Sequence, residues 1–197
     1  MKIPKEVSDH RKTEHDINPL IISRWSPRAM SGEELTDDEL MPLFEAAKWA
    51  PSSSNRQPWR FVYAKRNTKF WDDMFDVLVD FNKMWAKNAS VLVTIVSERI
   101  SDDGTPSKTH SFDAGAAWEN LAIETISRGL VAHAMIGFDF EKARNSLKIP
   151  ENFEIEAMIA IGKKGPIENI HERMRKQEFP NGRRPLKESI MEGVFRF

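Results

Sequence analysis

Two short polar segments place the strongest constraint on the fold of this chain, because each gathers several hydrogen-bond donors on an extended or irregular backbone. Residues 24–28 read RWSPR. An extended stretch of this kind can direct two guanidiniums and a hydroxyl at one phosphate. Residues 51–59 follow after a gap of 22 residues and read PSSSNRQPW. A loop of that composition can bring backbone N–H groups, hydroxyls and amides to a flat ring with polar edges.

Length and composition predict one globular domain over residues 1–197. Of the 197 residues, 40% are hydrophobic and 30% are charged, which is ordinary for a protein with a single sizeable core. The formal net charge of -1 provides no basic field to attract nucleic acid. We therefore expect no nucleic-acid partner, and any phosphate binding must depend on local arginine clusters.

The sequence contains no cysteine, which excludes disulfides, thiolate metal sites, iron–sulfur clusters and a cysteine nucleophile. The five histidines lack the helical spacing beside a glutamate that a zinc protease needs, so no metal site is expected. Redox chemistry in this chain would therefore need an organic cofactor.

The termini and apolar runs predict a protein outside the membrane. Residues 1–18 have no apolar core of the kind found in signal peptides. The longest uniform apolar stretch, residues 91–96, is far shorter than the roughly 20 residues that span a bilayer. We expect a cytoplasmic location.

Hydrophobic periodicity predicts alternating helices and strands. A capping box at residues 36–39 begins a helix that ends near Trp49, before Pro51. Residues 111–128 form a core helix ended by Gly129, residues 69–87 a long amphipathic helical region, and residues 140–147 a short helix. Strands are expected at residues 60–64, 89–97, 130–136 and 154–161, and a mobile polar loop at residues 101–110.

Both ends of the chain are less regular. Residues 1–16 are predicted to be a flexible arm or an extension that a partner orders. Residues 163–197 are charged and irregular but carry Ile190, Val194, Phe195 and Phe197 near the end. These apolar residues suggest that the segment wraps a neighbouring subunit.

Two further segments, residues 135–139 (MIGFD) and residues 182–186 (GRRPL), complete a set of four in a fixed order. With these four segments the chain resembles the nitroreductase family. The resemblance implies an α+β fold: a nitroreductase-like three-layer sandwich whose central sheet is mixed but mainly antiparallel, with helices on both faces and an exchanged carboxy-terminal arm. It also implies an FMN cofactor and a homodimer in which the segment at residues 51–57 crosses to the flavin of the other subunit.

Carried over residue by residue, the resemblance implies a set of FMN contacts. The arginine–serine–arginine segment would hold the phosphate and ribityl chain, residues 135–137 would contact the flavin near N5, and Arg183, with Arg184 in reserve, would reach the phosphate. The implied cofactor-binding residues are Arg24, Trp25, Ser26, Arg28, Pro51, Ser52, Ser53, Asn55, Gln57, Met135, Ile136, Gly137, Arg183 and Arg184.

The implied activity is electron transfer from NADH or NADPH through flavin N5 to a nitroaromatic, quinone or related small acceptor, in a ping-pong cycle. No side chain needs to act as an acid or base, because the flavin carries the chemistry. Two alternatives stay open. One is a reductive dehalogenase or flavin-modifying enzyme of the same fold, although a chain whose only tyrosine is Tyr63 lacks the dehalogenase substrate set. The other is a non-catalytic protein that binds or stores flavin.

Overall fold

The computed structural model describes residues 2–101 and 103–196 and contains one four-stranded sheet. Its strands are β1 (Trp59–Lys65), β2 (Val91–Glu98), β3 (Leu130–Met135) and β4 (Phe153–Lys163). The order across the sheet is β1-β2-β4-β3, and every neighbouring pair is antiparallel. The mainly antiparallel sheet is thus confirmed, and no parallel pair occurs among the described strands. Strand β3 lies at one edge, with one flank available to other segments.

Helices cover both faces of this sheet. In the described residues they are α1 (Lys5–Ser8), α2 (Pro19–Ser23), α3 (Asp37–Lys48), α4 (Trp71–Phe75), α5 (Asp80–Ala86), α6 (His110–Ser127), α7 (Phe140–Ser146) and α8 (Glu172–Arg175). Short 3-10 turns occupy Ser53–Asn55, Ile167–Asn169 and Leu186–Glu188.

Strand β2 sits between two hydrophobic layers. Because side chains alternate along a strand, Val93 and Ile95 pack with α3 and α6 on one face. Leu92 and Val96 pack on the opposite face with residues of α4, α5 and α7, including Trp85. Seven of the eight β2 residues are buried, which explains why its sequence reads as a continuous apolar run. The result is the three-layer α+β arrangement that the resemblance implies.

The elements with the clearest sequence signals are confirmed. Thr36 caps α3: its Oγ1 accepts from the N–H of Glu39 at 3.2 Å, while a carboxylate oxygen of Glu39 accepts from the N–H of Thr36 at 2.8 Å. Helix α6 ends as predicted before Gly129, whose φ of 71° lies in the left-handed region that favours glycine.

The prediction of one long helical region over residues 69–87 is wrong. Helices α4 and α5 are separated because the chain between them pairs with the segment after β3. Leu78 forms a β-bridge with Phe138, and the N–H of Val79 donates to the carbonyl of Gly137 at 3.1 Å. This tertiary pairing outweighs the helical periodicity of the sequence.

The two ends behave differently. In the amino-terminal arm, Val7 is 1% exposed and Arg11 bonds to distant backbone, so the described part of the arm packs on its own chain. Residues 181–196 are exposed throughout. Met1, Asp102 and Phe197, which belong to the predicted arm, loop and tail, lie outside the described residues. Among the helices that the structure describes, none is long and apolar enough to cross a membrane.

Candidate active site

The first polar segment runs beside the edge strand β3. The Nδ1 atom of His133 in β3 lies 3.3 Å from the carbonyl oxygen of Pro27. Within the segment, Nη1 of Arg24 lies 3.4 Å from Oγ of Ser26. The open flank of β3 thereby fixes the arginine–serine–arginine segment against the sheet.

A cavity of about 180 Å³ opens at this segment, and we call it the arginine cleft. The structure brings the predicted Arg24, Trp25, Ser26, Arg28 and Arg183 together in its lining. Arg184 instead lines a wider neighbouring groove of about 690 Å³, which Arg183 also borders. Of the two adjacent arginines, Arg183 is therefore the one that faces the same cavity as the first segment.

One buried carboxylate balances part of this positive charge. Oε1 of Glu178 accepts hydrogen bonds from the N–H groups of Arg28 and Ala29, at 2.7 and 2.8 Å. Its other oxygen, Oε2, lies 3.9 Å from Nη1 of Arg28. Within the described chain, Nε of Arg28 is buried and has no hydrogen-bond partner. Oε2 of Glu178 is also buried without a hydrogen-bond partner among the described residues. With four arginines in its lining, the cleft fits an anionic ligand such as a phosphate.

Arg11 also lines the arginine cleft, and sequence reasoning missed it. Its Nε donates to the carbonyl of Asn181 at 2.7 Å, and its Nη1 donates to the carbonyls of Ile22 and Arg24, each at 2.7 Å. Burial, reinforced by the charges of Arg183 and Arg24, lowers the pKa of Arg11 from its usual value. Arg11 ties the arm to both halves of the cleft, and no local pattern around residue 11 signals this role.

His133 lines the arginine cleft as a neutral imidazole at neutral pH. Burial first, and the nearby charge of Arg28 second, lower its pKa from 6.5 to about 4. Because the carbonyl of Pro27 can only accept, Nδ1 of the neutral ring carries the proton and donates to it.

The second polar segment lies elsewhere in the single chain. It follows α3 as an exposed loop in which Ser54, Asn55 and Gln57 have φ of 51°, 54° and 51°. Its backbone is fixed at Ser53, whose N–H donates to Oδ2 of the buried Asp113 at 3.3 Å, at the amino-terminal end of α6. The predicted residues Pro51, Ser52, Ser53, Asn55 and Gln57 do not line the arginine cleft.

The third segment forms a turn at the end of β3. Met135 is buried, whereas Ile136 is 73% exposed. The carbonyl of Gly137 accepts from the N–H of Val79 at 3.1 Å and from Nδ2 of Asn82 at 2.9 Å. A Cβ at position 137 would lie 2.5 Å from that Nδ2 atom, so any larger residue would have to displace the side chain of Asn82. The turn thus presents the exposed Ile136 while its next carbonyl is held inwards.

Comparison with known proteins places this chain in a family. The nitroreductase family profile matches residues 21–83. A crystal structure described as an oxidoreductase containing FMN is 42% identical, with a TM-score of 0.91, covering 94% of this chain and 96% of that one. An Archaeoglobus fulgidus protein, named provisionally as an NADH dehydrogenase/NAD(P)H nitroreductase, is 24% identical over 147 residues, which are 73% of this chain and 82% of the relative.

A Desulfovibrio desulfuricans protein, provisionally described as a nitroreductase and solved in complex with FMN, has the same fold at 24% identity. Its TM-score is 0.71, and the match covers 92% of this chain and 100% of that one. The chain belongs to the nitroreductase family, and the resemblance and fold class predicted from its sequence are confirmed.

Proposed function

We propose that this protein is an FMN-dependent oxidoreductase whose arginine cleft holds the flavin phosphate. The observation that supports this most is the convergence of Arg24, Arg28 and Arg183 on one cavity. Charge-assisted bonds from guanidiniums to a phosphate are strong and directional, so such a donor set favours a phosphate over a singly charged carboxylate. The FMN-containing relative at 42% identity supports the same cofactor.

The flavin ring would lie along the turn at residues 135–137. Strand β3 connects His133 in the cleft directly to this turn, and the exposed Ile136 offers an apolar surface for a flat ring. Bound FMN would supply hydride acceptance at N5 and onward electron transfer. The chain itself would contribute binding, orientation and exclusion of water, so no protein residue is assigned as an acid or base.

We further propose NADH or NADPH as electron donor, a nitroaromatic, quinone or related small acceptor, and ping-pong kinetics. The provisional name of the archaeal relative supports the nicotinamide donor. The nicotinamide and the acceptor would bind in turn at the same exposed face of the flavin. Because the first product must leave before the second substrate binds, the kinetics would be ping-pong. The cytoplasmic location stays a prediction.

A homodimer would complete the site. The 51–57 loop lies away from the arginine cleft of its own chain, so a second copy would have to supply the loop. Exposed apolar side chains flank the loop: Trp49 is 74% exposed and Phe112 is 82% exposed. The exposed residues 184–196, which follow Arg183 of the cleft, would form the exchanged arm, and they include Ile190 and Val194. Contiguous exposed apolar groups of this kind mark protein interfaces.

The decisive experiment is an absorbance spectrum of the purified protein before and after denaturation, followed by NADH or NADPH without oxygen. A yellow protein that releases FMN and bleaches with a nicotinamide supports the proposal. A colourless protein that FMN cannot reconstitute overturns it. A flavoprotein that never bleaches would instead be the storage protein considered from the sequence, and product analysis with a halogenated substrate tests the dehalogenase.

Mixed dimers test the division of the site between subunits. Arg28→Ala damages the cleft and Gln57→Ala damages the loop, so a mixed dimer of the two variants has one intact site. Random mixing in equal amounts should restore about a quarter of the wild-type sites. The matched control mixes Arg28→Ala with Arg183→Ala, where both lesions lie in the cleft and no site is restored. Equal recovery in both mixtures would contradict a split site.

A further inference from the structure

A continuous line of side-chain contacts joins the turn after β3 to the arginine segment. It runs from Gly137 through Asn82 and Trp85 of α5 to His133 of β3, and ends at Pro27. In the proposed function these two ends contact opposite ends of the same cofactor. Gly137 follows His133 by four positions in the chain, which is at most about 13 Å at the usual strand rise.

The end at the turn is rigid because Asn82 has no freedom to flip. Its Nδ2 donates to the carbonyl of Gly137 at 2.9 Å, and its Oδ1 accepts from Nε1 of Trp85 at 3.3 Å. A carbonyl only accepts and an indole N–H only donates, so the amide has one satisfied orientation. Asn82 is 7% exposed, and the opposite orientation would leave the indole N–H of Trp85 facing a second donor.

The end at the cleft is equally constrained. The rings of Trp85 and His133 are 4.6 Å apart between centroids at an angle of 44°. Trp85 is fully buried, so its indole cannot move without disturbing the core. The imidazole in turn donates from Nδ1 to the carbonyl of Pro27, the residue that precedes Arg28.

We propose that Asn82, Trp85 and His133 act as a positioning relay that fixes the ring-contacting turn relative to the phosphate-binding segment. This inference rests on the proposed function for the identity of the ligand. The three residues are positioning residues, because they reach the ligand through Gly137 and through the backbone of the arginine segment. A flavin is covalently continuous from ring to phosphate, so an error at one end weakens contacts at the other.

The test measures the dissociation constants of riboflavin and of FMN. The ratio of the riboflavin constant to the FMN constant reports how much the phosphate contributes to binding. Trp85→Phe removes the indole N–H and part of the ring that contacts His133, and Asn82→Leu removes both hydrogen bonds of the side-chain amide. Neither residue lines the arginine cleft. We expect each variant to lower the ratio about threefold or more, as expected for coupled neighbours. The matched control is Trp118→Phe, a half-buried tryptophan of α6 that packs against the other hydrophobic cluster, which should leave the ratio unchanged. An unchanged ratio in both relay variants overturns the proposal.

Two substitutions of His133 distinguish a positioning role from a packing role. His133→Asn keeps an N–H donor near the carbonyl of Pro27 and should retain most of the ratio, whereas His133→Phe fills the space but loses the donor. If Phe performs as well as Asn, the residue only packs and the relay is refuted. The double variant Asn82→Leu/His133→Phe should lose less than the sum of the single changes, and strict additivity would also refute the relay.

Hydrogen exchange on the flavin-free protein gives a readout that does not depend on the cofactor. The N–H of Val79 bonds to Gly137, and the N–H of Arg28 bonds to Glu178. In Trp85→Phe both amides should exchange faster, since both ends of the relay loosen. Faster exchange at Val79 alone would sink the relay. If the wild-type protein binds no FMN, the proposed function fails, and this exchange measurement still decides on the relay.

Discussion

Glu178 receives the backbone N–H of Arg28 at 2.7 Å and also lies 3.9 Å from the guanidinium of the same residue. One buried carboxylate thus holds the backbone of Arg28 and, through its charge, lowers the positive charge of the arginine cleft. These two tasks can be separated by substitution.

Glu178→Gln keeps an oxygen for the N–H groups of Arg28 and Ala29 but removes the negative charge. We expect near-wild-type stability and tighter binding of inorganic phosphate, since the cleft becomes more positive. Glu178→Ala leaves two buried N–H groups unpaired and should cost about 1–3 kcal/mol of unfolding free energy. Denaturant titration and phosphate titration of both variants check this, and weaker phosphate binding by the Gln variant would be the wrong result.

Arg28→Ala should release FMN before it unfolds the protein. Losing a hydrogen bond between charged groups costs about 1.5–3 kcal/mol, so the dissociation constant of FMN should rise about 10- to 100-fold. The affinity for riboflavin, which has no phosphate, should change little. Fluorescence titration with both flavins measures the effect, and stoichiometric FMN in the purified variant would count heavily against the assignment.

Arg183 and Arg184 form a matched pair of neighbours. Arg183 lines the arginine cleft and Arg184 borders only the wider groove, so Arg183→Ala should weaken FMN binding more than Arg184→Ala. Both variants remove one positive charge, which controls for the long-range field. Equal losses in FMN affinity would show that the total charge matters and that the position does not.

The pKa of His133 predicts a pH-dependent stability. The pKa falls from 6.5 to about 4 on folding, mainly because the ring is buried. Between these values the unfolded chain binds a proton that the folded chain does not, so the stability decreases as the pH falls. The full loss is about 3 kcal/mol and is complete below the folded pKa. His133→Asn does not titrate there, so its stability should fall less steeply from pH 6.5 to 4; parallel curves in denaturant titrations would contradict this prediction.

Arg11→Ala should loosen the arginine cleft, although its other three arginines remain. The variant loses three bonds to the backbone of residues 22, 24 and 181, which join the arm to both sides of the site. We expect faster proteolysis within residues 2–16 and weaker FMN binding, while Arg11→Lys restores only part of either. Protection of the arm equal to wild type would show that Arg11 is not its main anchor.

The sequence predicted the elements whose signals are local. The helix at residues 111–128 and the strand at residues 89–97 have periodic or continuous apolar patterns that burial alone explains. The region at residues 69–87 failed because its break depends on Leu78 meeting Phe138, 60 residues away in the chain. No periodicity in one segment can report a partner in another.

The site residues also differ in whether the sequence could predict them. The structure gathers Arg24, Ser26, Arg28 and Arg183, which the family resemblance named, in one cavity. Arg11 and Glu178 escaped notice because each has an ordinary local sequence and acquires its role only through long-range contacts. Whether the 51–57 loop joins the cleft of a second chain stays a prediction, since the loop and cleft are apart in one chain.

The bond between Arg11 and Asn181 spans 170 residues of a 197-residue chain. Contacts of such sequence separation form late, because a long loop must close before they contribute. The sheet needs only residues 59–163, whereas the cleft also needs residues 178–183. A chain cut short before Glu178 would therefore keep all four strands but lack Arg183 and the carboxylate that holds the backbone of Arg28.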